Sequence, residues 1–296
     1  MAKKLTLEGS MVALVTPFRG GAVDYDALGR LIDAQIAGGT QGLVPCGTTG
    51  ESPTLSHQEH DKVIEYTVAR AAGRVPVIAG TGSNSTEEAV RLTRHAKEAG
   101  ATAGLVVNPY YNKPTQQGMF EHVSALAKVG LPIVLYNIPG RCGVELTCDT
   151  IVRMYEEIDE VVAVKEATGK LDNTSELAAR CGITVISGDD SLTLPIISAG
   201  GRGVISVVAN IVPAEVRKLT DAALKGDLPT ATAQHLRLFP LCRGMFVETN
   251  PIPIKAALAM AGLIADELRL PMTSLPAKLR PALAEMLRQF GVNAKA

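Results

Sequence analysis

The sequence predicts a (β/α)8 TIM barrel with a C-terminal helical appendage, and three observations support this fold class. The chain has 296 residues, which suits a single barrel because such barrels need about 250 residues as one unit. Eight short apolar segments alternate with stretches of helical periodicity, a pattern that predicts parallel strands and right-handed crossovers. The alternative, an open doubly wound sheet, would carry a glycine-rich phosphate turn after its first strand, where Thr16-Pro17-Phe18 stands instead.

The predicted strands are short runs rich in β-branched residues and bounded by turn residues. They cover residues 11–15, 42–45, 75–79, 103–107, 132–136, 161–164, 184–187 and 203–208. Helical periodicity fills the intervals: residues 26–37 carry apolar side chains three and four apart and end at Gly38-Gly39. Ser85-Thr86-Glu87-Glu88 is typical of a helix N-terminus, with a capping serine and acids in the first turn.

The pattern becomes mainly helical after Asn210, with breaks at glycines and prolines such as Gly226 and Pro240. Residues 255–265 and 276–289 are predicted amphipathic helices. We therefore predict two domains, a catalytic barrel over residues 1–225 and a helical domain over residues 226–296.

Composition excludes several classes of protein. The formal net charge is -1 with no long run of one sign, which argues against nucleic-acid binding and against a polybasic membrane role. The five cysteines form no CxxC pair, so we expect reduced thiols and a cytoplasmic location. The longest early apolar run, residues 11–15, is too short for a signal peptide or a membrane span.

Polar side chains are concentrated at the carboxyl ends of the predicted strands, where barrels of this class hold their chemistry. These ends carry a lysine, tyrosines, a threonine pair and an arginine, in segments 45–51, 108–112, 136–141, 165–166 and 188–190. Because the ends of all strands meet at one rim, this concentration predicts an enzyme active site.

Lys165 is the predicted nucleophile. Strand alternation predicts that it shares a face with Val161 and Ala163, and an ammonium on an apolar face is costly unless it is paired or loses its proton. A neutral amine at a strand end attacks carbonyl carbon and forms a Schiff base. The alternative is a lysine that buries only its stem and extends its head to solvent or to a carboxylate.

Three further positions fit such chemistry. Tyr136 lies one strand away, and its phenol, with a pKa near ~10, suits proton exchange with an amine; otherwise it is a core tyrosine. Thr48 and Thr49 stand between two glycines and could bind a carboxylate through hydroxyl and N–H groups, or form an ordinary turn. Arg141 offers a bidentate fork for a substrate carboxylate, or is a surface residue.

A metal site is not predicted. His57 and His60 lie three residues apart on a predicted helix, but the sequence identifies no third ligand. We expect amine catalysis that needs no cofactor.

Three motifs in order resemble the dihydrodipicolinate synthase family of the pyruvate-dependent class I aldolase superfamily, which includes N-acetylneuraminate lyase. They are Gly47-Thr48-Thr49-Gly50-Glu51, Tyr136-Asn137-Ile138-Pro139-Gly140-Arg141 and Lys165-Glu166-Ala167-Thr168-Gly169. The resemblance covers about residues 9–210 and, less distinctly, the helical tail.

The resemblance implies a lyase of lysine and diaminopimelate biosynthesis, a 4-hydroxy-tetrahydrodipicolinate synthase that condenses pyruvate with L-aspartate 4-semialdehyde. Lys165 would form the Schiff base, and Tyr136 would donate and accept protons relayed by Thr48 and Tyr111. In the family, the tyrosine that matches Tyr111 reaches into the site of a neighbouring subunit of a homotetramer built from two tight dimers. The substrate-binding residues would be Thr49 and Ile205 for pyruvate and Arg141 for the semialdehyde carboxylate, together with Gly188.

Lysine-inhibited members of the family hold L-lysine at the tight-dimer interface. The matching positions are Ser52, Pro53, His57, His60, Asn84, Glu88 and Tyr110. Glu88 could pair with the amine and Asn84 could bind the carboxylate. The alternative is an ordinary polar dimer interface without a ligand.

Two other functions stay open at this point. One is another pyruvate-dependent aldolase, such as N-acetylneuraminate lyase or a 2-keto-3-deoxy sugar acid aldolase, which would share Lys165 and Tyr136 but would have little use for Arg141. The other is a non-catalytic ligand-binding barrel, because fold does not determine function.

Overall fold

The structure is a computed structural model that describes residues 5–295. Eight parallel strands follow one another around the sheet in the order 42–44, 9–13, 203–206, 184–187, 161–166, 133–137, 103–107 and 78–80. A bridge between Leu43, in the first of these strands, and Val77, the residue before the last, joins the two edges of the sheet. The sheet is therefore closed into a (β/α)8 barrel surrounded by helices, and the predicted fold class is confirmed. The predicted domains begin at residue 1 and end at residue 296, and residues 1–4 and 296 lie outside the described range.

The strands are short and mostly buried. In chain order they are β1 (Gly9–Ala13), β2 (Phe18–Arg19), β3 (Ala22–Val23), β4 (Gly42–Val44), β5 (Ile78–Gly80), β6 (Ala103–Val107), β7 (Ile133–Asn137), β8 (Val161–Glu166), β9 (Thr184–Ser187) and β10 (Gly203–Ser206). β2 and β3 form a small antiparallel hairpin outside the barrel. Each predicted strand overlaps a barrel strand. The largest shift of a strand boundary is at the start of 75–79, because β5 begins at Ile78 and Pro76 lacks the N–H group that a ladder requires.

The helices alternate with the barrel strands and then continue into the C-terminal part. In chain order they are α1 (Tyr25–Ala37), α2 (His57–Ala71), α3 (Thr86–Glu98), α4 (Gln116–Ala127), α5 (Pro139–Cys142), α6 (Cys148–Glu157), α7 (Leu171–Arg180), α8 (Thr193–Ser198), α9 (Pro213–Leu224), α10 (Leu228–Gly244), α11 (Ile252–Met260) and α12 (Arg280–Arg288). The helix start predicted at Ser85 is confirmed, because its side chain accepts a hydrogen bond from the Glu88 N–H group.

A β-bulge in β8 decides which side chains enter the barrel. Ile133 pairs with Val161, but the next residue of β7 pairs with Ala163, so Val162 is an extra residue without a partner. Val162 and Ala163 both pack in the barrel interior, whereas Val161 packs in the outer core beneath the helices. The prediction that Val161 shares a face with Lys165 is wrong, because an inserted residue resets the alternation of side chains.

The C-terminal helices pack on the barrel in one continuous apolar core. This core joins residues of β1 and α1 with residues of α9, α10, α11 and α12. Gly226, in the left-handed region with φ +76°, separates α9 from α10. The division at residue 226 coincides with that turn and stays a prediction. No helix within residues 5–295 is both long and apolar enough to cross a membrane.

Candidate active site

Lys165 and Tyr136 face each other across two neighbouring strands at the carboxyl end of the barrel. They are direct partners in the register of β7 and β8, and each side chain is only 5% exposed. Lys165 Nζ lies 4.1 Å from the centroid of the Tyr136 ring. Within residues 5–295 no carboxylate oxygen comes within 4.0 Å of this nitrogen. The alternative of a lysine held by a partner carboxylate is therefore not what this structure shows.

A cavity of about 430 Å³ opens beside this pair. Its lining includes Tyr136, Thr48, Arg141 and Cys142. Lys165 is not itself among the lining residues; its amine lies against the Tyr136 ring, which is. The phenol thus stands between the buried amine and a space large enough for small substrates.

The loop after β4 supplies the threonine pair. Gly50 N–H donates to Gly47 O at 3.1 Å, and Glu51 N–H donates to Thr48 O at 3.1 Å, so the loop is a tight turn. Thr49 is 3% exposed, and its hydroxyl accepts a hydrogen bond of 3.0 Å from Asn250 Nδ2. Thr48 lines the cavity, whereas the Thr49 hydroxyl is hydrogen-bonded to the C-terminal part of the chain.

Asn250 is a site residue that the sequence reasoning missed. Besides its bond to Thr49, its backbone carbonyl accepts a hydrogen bond of 3.1 Å from Arg141 Nη2. One segment therefore contacts both the threonine loop and the arginine. The available signal was the break Pro251-Ile252-Pro253, which reads as a helix start rather than as part of a site.

Because Gly188 has no side chain, it leaves room for the Lys165 side chain. A Cβ atom at this position would lie 2.7 Å from Ala167 Cβ and 3.1 Å from Lys165 Cε. The Gly188 N–H also donates to Glu166 O at 2.7 Å, which holds the ends of β8 and β9 together. Ile205 lies on β10, is 1% exposed and packs in the barrel interior.

Tyr111 is not brought to this site. Its side chain is 90% exposed, and its backbone adopts a left-handed φ of +74°, which is uncommon for a bulky residue. In this single chain its ring projects from the surface, and the predicted role in a neighbouring subunit stays a prediction.

Most of the residues predicted to bind L-lysine line the same cavity as Tyr136. They are Ser52, Pro53, His57, His60, Glu88 and Tyr110. Asn84 is not part of the lining, but its Nδ2 donates to Tyr110 O at 3.2 Å. One continuous space therefore connects the phenol with these residues.

Charges in this region are set by burial and by hydrogen bonds. The Glu88 carboxylate accepts hydrogen bonds from the Ser83 hydroxyl and from His57 Nε2, the latter at 2.7 Å, and these bonds lower its pKa. Burial lowers the pKa of His60 to about 4. At neutral pH the cavity lining thus includes the ionised Glu88 carboxylate and the neutral His60 imidazole.

Two buried carboxylates support the rim, and the sequence reasoning gave them no role. Asp190 accepts hydrogen bonds from the Ser206 hydroxyl and from the Val207 N–H group, the latter at 2.9 Å, and burial raises its pKa to about 6. Glu166 accepts from Thr168 N–H at 2.7 Å, and burial raises its pKa. Neither residue contacts the cavity; each holds a strand end.

Metal-binding side chains are not grouped in this part of the chain. Among the described residues, no three or more histidine, cysteine, aspartate or glutamate side chains are arranged to hold a metal ion.

The comparisons with known proteins agree with this geometry. The sequence model described as the Dihydrodipicolinate synthetase family matches residues 6–290. The chain is 53% identical over 289 residues to a 4-hydroxy-tetrahydrodipicolinate synthase of Syntrophobacter fumaroxidans, covering 96% of this chain and 99% of the relative. The crystal structure of dihydrodipicolinate synthase from Aquifex aeolicus has a TM-score of 0.96 at 50% identity and covers 98% of this chain and 100% of that one.

Two similar solved structures contain small molecules. The chloride-inhibited dihydrodipicolinate synthase from Acinetobacter baumannii is complexed with pyruvate and has a TM-score of 0.94 at 44% identity, covering 97% of this chain and 100% of that one. The synthase from Cyanidioschyzon merolae has lysine bound and a TM-score of 0.94 at 38% identity, covering 96% of this chain and 98% of that one.

Proposed function

Because the chain belongs to the dihydrodipicolinate synthetase family, we propose that its Lys165 amine forms a Schiff base with pyruvate. The chain is a lyase of lysine and diaminopimelate biosynthesis, with 4-hydroxy-tetrahydrodipicolinate synthase activity. The observation that carries the mechanism is the Lys165–Tyr136 pair, in which a buried amine lies 4.1 Å from the centroid of a phenol ring. A pyruvate complex of a relative supports the first substrate.

The first half of the reaction takes place on Lys165. Its amine attacks the keto carbon of pyruvate, the carbonyl oxygen leaves as water, and an imine forms. Loss of a proton from the methyl group then gives an enamine. Tyr136 is the group that delivers and removes these protons, because its ring contacts the amine and also lines the cavity. Thr48 lines the same cavity and is proposed to relay protons to the phenol.

The second half joins the enamine to L-aspartate 4-semialdehyde. The enamine carbon attacks the aldehyde carbon, and the aldehyde oxygen takes up a proton. The amino group of the adduct then attacks the imine carbon, which closes the ring and releases Lys165. Arg141 is proposed to bind the semialdehyde carboxylate: it lines the cavity, and only its Nη2 is used in the bond to Asn250 O. Thr49, Gly188 and Ile205 are proposed to complete the substrate site.

We propose that Tyr111 acts in a second copy of this chain. A tyrosine that is 90% exposed at a left-handed backbone position suits insertion into a neighbour, because a free surface gives such a conformation no compensating contacts. The assembly proposed is a homotetramer built from two tight dimers. Tyr111→Ala should weaken the tight dimer in sedimentation experiments and lower turnover. A variant that keeps both the mass and the turnover of the wild type would contradict this role.

L-lysine is the proposed inhibitor. The cavity offers an ionised Glu88 for an ammonium group, and the relative from Cyanidioschyzon merolae binds lysine. Calorimetry with L-lysine tests this directly, and absence of binding at millimolar lysine would remove the proposal. The metal-free mechanism and the cytoplasmic location are further proposals; the free state of all five cysteines fits a reducing compartment.

Borohydride trapping tests the central proposal. Reduction in the presence of pyruvate should add the mass of the reduced pyruvate adduct to one peptide, the one that contains Lys165. Lys165→Met should abolish the adduct, whereas the matched control Lys170→Met should keep it, because Lys170 lies on the surface in an ion pair with Glu145. An adduct on another lysine, or none in the wild type, would refute the mechanism.

Arg141→Ala distinguishes the semialdehyde from a polyol aldehyde. If Arg141 binds the substrate carboxylate, the variant should raise the KM for the semialdehyde and leave pyruvate trapping intact. An unchanged KM would show that Arg141 does not bind this substrate.

A further inference from the structure

A buried ion pair joins the threonine loop to the C-terminal part of the chain. Lys255, on α11, is 0% exposed, and Glu51, the last residue of the Gly47–Glu51 loop, is 3% exposed. Lys255 Nζ lies 2.5 Å from Glu51 Oε1. Two charges so far from water are tolerated only when they compensate each other and their remaining hydrogen-bonding groups are satisfied. The mechanism proposed above uses neither residue.

Both members of the pair make further bonds that restrict the loop. Lys255 Nζ donates to Thr16 O at 3.0 Å and lies 4.2 Å from the centroid of the Phe18 ring. The Thr16 hydroxyl donates to Gly50 O at 2.7 Å. The second Glu51 oxygen accepts from the Arg269 N–H group at 3.1 Å.

The backbone of Glu51 shows why this set of bonds, the Glu51–Lys255 ion pair with its hydrogen bonds to Thr16 and Arg269 (the clamp), is needed. Its φ is +54°, a left-handed conformation that costs free energy for a residue with a side chain and persists only where the surroundings impose it. This conformation ends the turn that carries Thr48 and Thr49. If the clamp were released, Glu51 could relax toward negative φ, and the two threonines would move with it.

The same C-terminal segment holds the loop at a second point. Asn250 donates to Thr49 Oγ1 at 3.0 Å and accepts from Arg141 Nη2 at 3.1 Å. Lys255 follows five residues later and holds Glu51. Residues outside the barrel therefore bond to the middle and to the last residue of the Gly47–Glu51 loop, and to the arginine of the site.

We propose that Glu51 and Lys255 are positioning residues, whose buried ion pair holds Thr48 and Thr49 in the geometry that proton relay and condensation require. The proposal rests on the proposed function, since it concerns the same site. It predicts an effect on condensation that is separate from any effect on folding. A pair that only stabilised the protein would change the melting temperature and leave the turnover of each folded molecule unchanged.

The test uses Lys255→Met, Glu51→Gln and the double variant, each assayed well below its own melting temperature. We expect each single variant to lower kcat by about 10- to 100-fold, because a displacement near 1 Å in a site costs up to that much. The final extent of borohydride trapping should stay near its wild-type value because Lys165 is unchanged, whereas the rate of trapping should fall, since Thr48 and Thr49 also serve the pyruvate half of the reaction. The double variant should lose no more than the worse single variant, because one clamp is removed in all three cases.

Controls separate this proposal from its alternatives. Glu8 precedes β1, at the end of the barrel opposite the site, and forms an exposed ion pair with Arg202. Glu8→Gln breaks this pair and should leave kcat unchanged. If Lys255→Met does not fold, Glu51→Gln alone decides, since it keeps the side-chain shape and removes the charge. Wild-type kcat in a folded Glu51→Gln variant would overturn the proposal. Failure of pyruvate trapping in the wild type would instead refute the proposed function.

Discussion

Gly188→Ala is the most direct test of how packing at the end of the barrel positions the Lys165 amine. The added Cβ would lie 2.7 Å from Ala167 Cβ, a distance that real Cβ atoms essentially never show, and 3.1 Å from Lys165 Cε. The glycine has an ordinary φ, so the substitution introduces no backbone strain of its own. Ala167 Cβ, which is fixed to the backbone, must shift, and the more flexible lysine stem must give slightly.

The magnitude follows from these distances. Overpacking of a buried site costs about 1–3 kcal/mol of stability. The 3.1 Å contact requires the lysine stem to give by only a few tenths of an ångström, well below the shift of about 1 Å that costs about 100-fold in rate. We therefore expect a folded protein whose melting temperature falls modestly and whose rate of pyruvate trapping falls by about threefold to tenfold.

The assay follows borohydride-trapped adduct against time at saturating pyruvate. The matched control is Gly118→Ala in α4, where the added Cβ meets only Pro114 Cβ at 3.4 Å and Thr115 Oγ1 at 3.5 Å, so its trapping rate should equal that of the wild type. Adding Ala167→Gly to Gly188→Ala removes the closest contact and should restore part of the rate. A wild-type trapping rate in Gly188→Ala would refute the reasoning.

Three further predictions follow from the site. Tyr136→Phe keeps the ring that packs on Lys165 but removes the phenolic hydroxyl, so the rate of steady-state condensation should fall by about 10²- to 10⁴-fold. Slow borohydride trapping should show that Lys165 can still form the adduct. Unchanged turnover would exclude Tyr136 as the proton donor. Burial raises the pKa of Asp190 to about 6, above its value in the unfolded chain, so its ionised form destabilises the fold above about pH 6. In denaturant unfolding, the contribution of Asp190 to the free energy of unfolding should therefore show a gain on the order of 3 kcal/mol as the pH falls toward 4. Asp190→Asn should remove that gain, and a persisting one would assign it to another group. Glu88→Gln should weaken L-lysine binding by about tenfold or more, the effect of losing a charged partner, and equal affinity in calorimetry would place the ligand elsewhere.

Much of the fold followed from local pattern. The eight apolar segments and their helices could be located because strand and helix periodicity are properties of neighbouring residues. The rim position of Lys165 and Tyr136 followed as well, since parallel strands bring their carboxyl ends to one side. Their direct pairing in β7 and β8 confirms this part of the prediction.

Which side chains of β8 face the barrel interior could not be predicted in the same way. Simple alternation placed Val161 with Lys165, but the bulge at Val162 moved Val161 to the outer core. A bulge depends on how two strands fit together, so one strand alone does not reveal it. The residue type of Arg141 indicated a carboxylate-binding side chain, whereas its assignment to the semialdehyde and the role of Tyr111 came from family resemblance.

The sequence by itself determined the barrel, its rim and the amine and phenol that face each other there. Only the tertiary structure showed that Asn250 holds Thr49 across 201 residues and that Lys255 holds Glu51 across 204. Such contacts leave no periodic signal, because they join residues that become neighbours only after the helices pack on the barrel. The physical reason is range: periodicity records which face of an element is buried, whereas hydrogen bonds between distant segments depend on the packed arrangement of the whole chain.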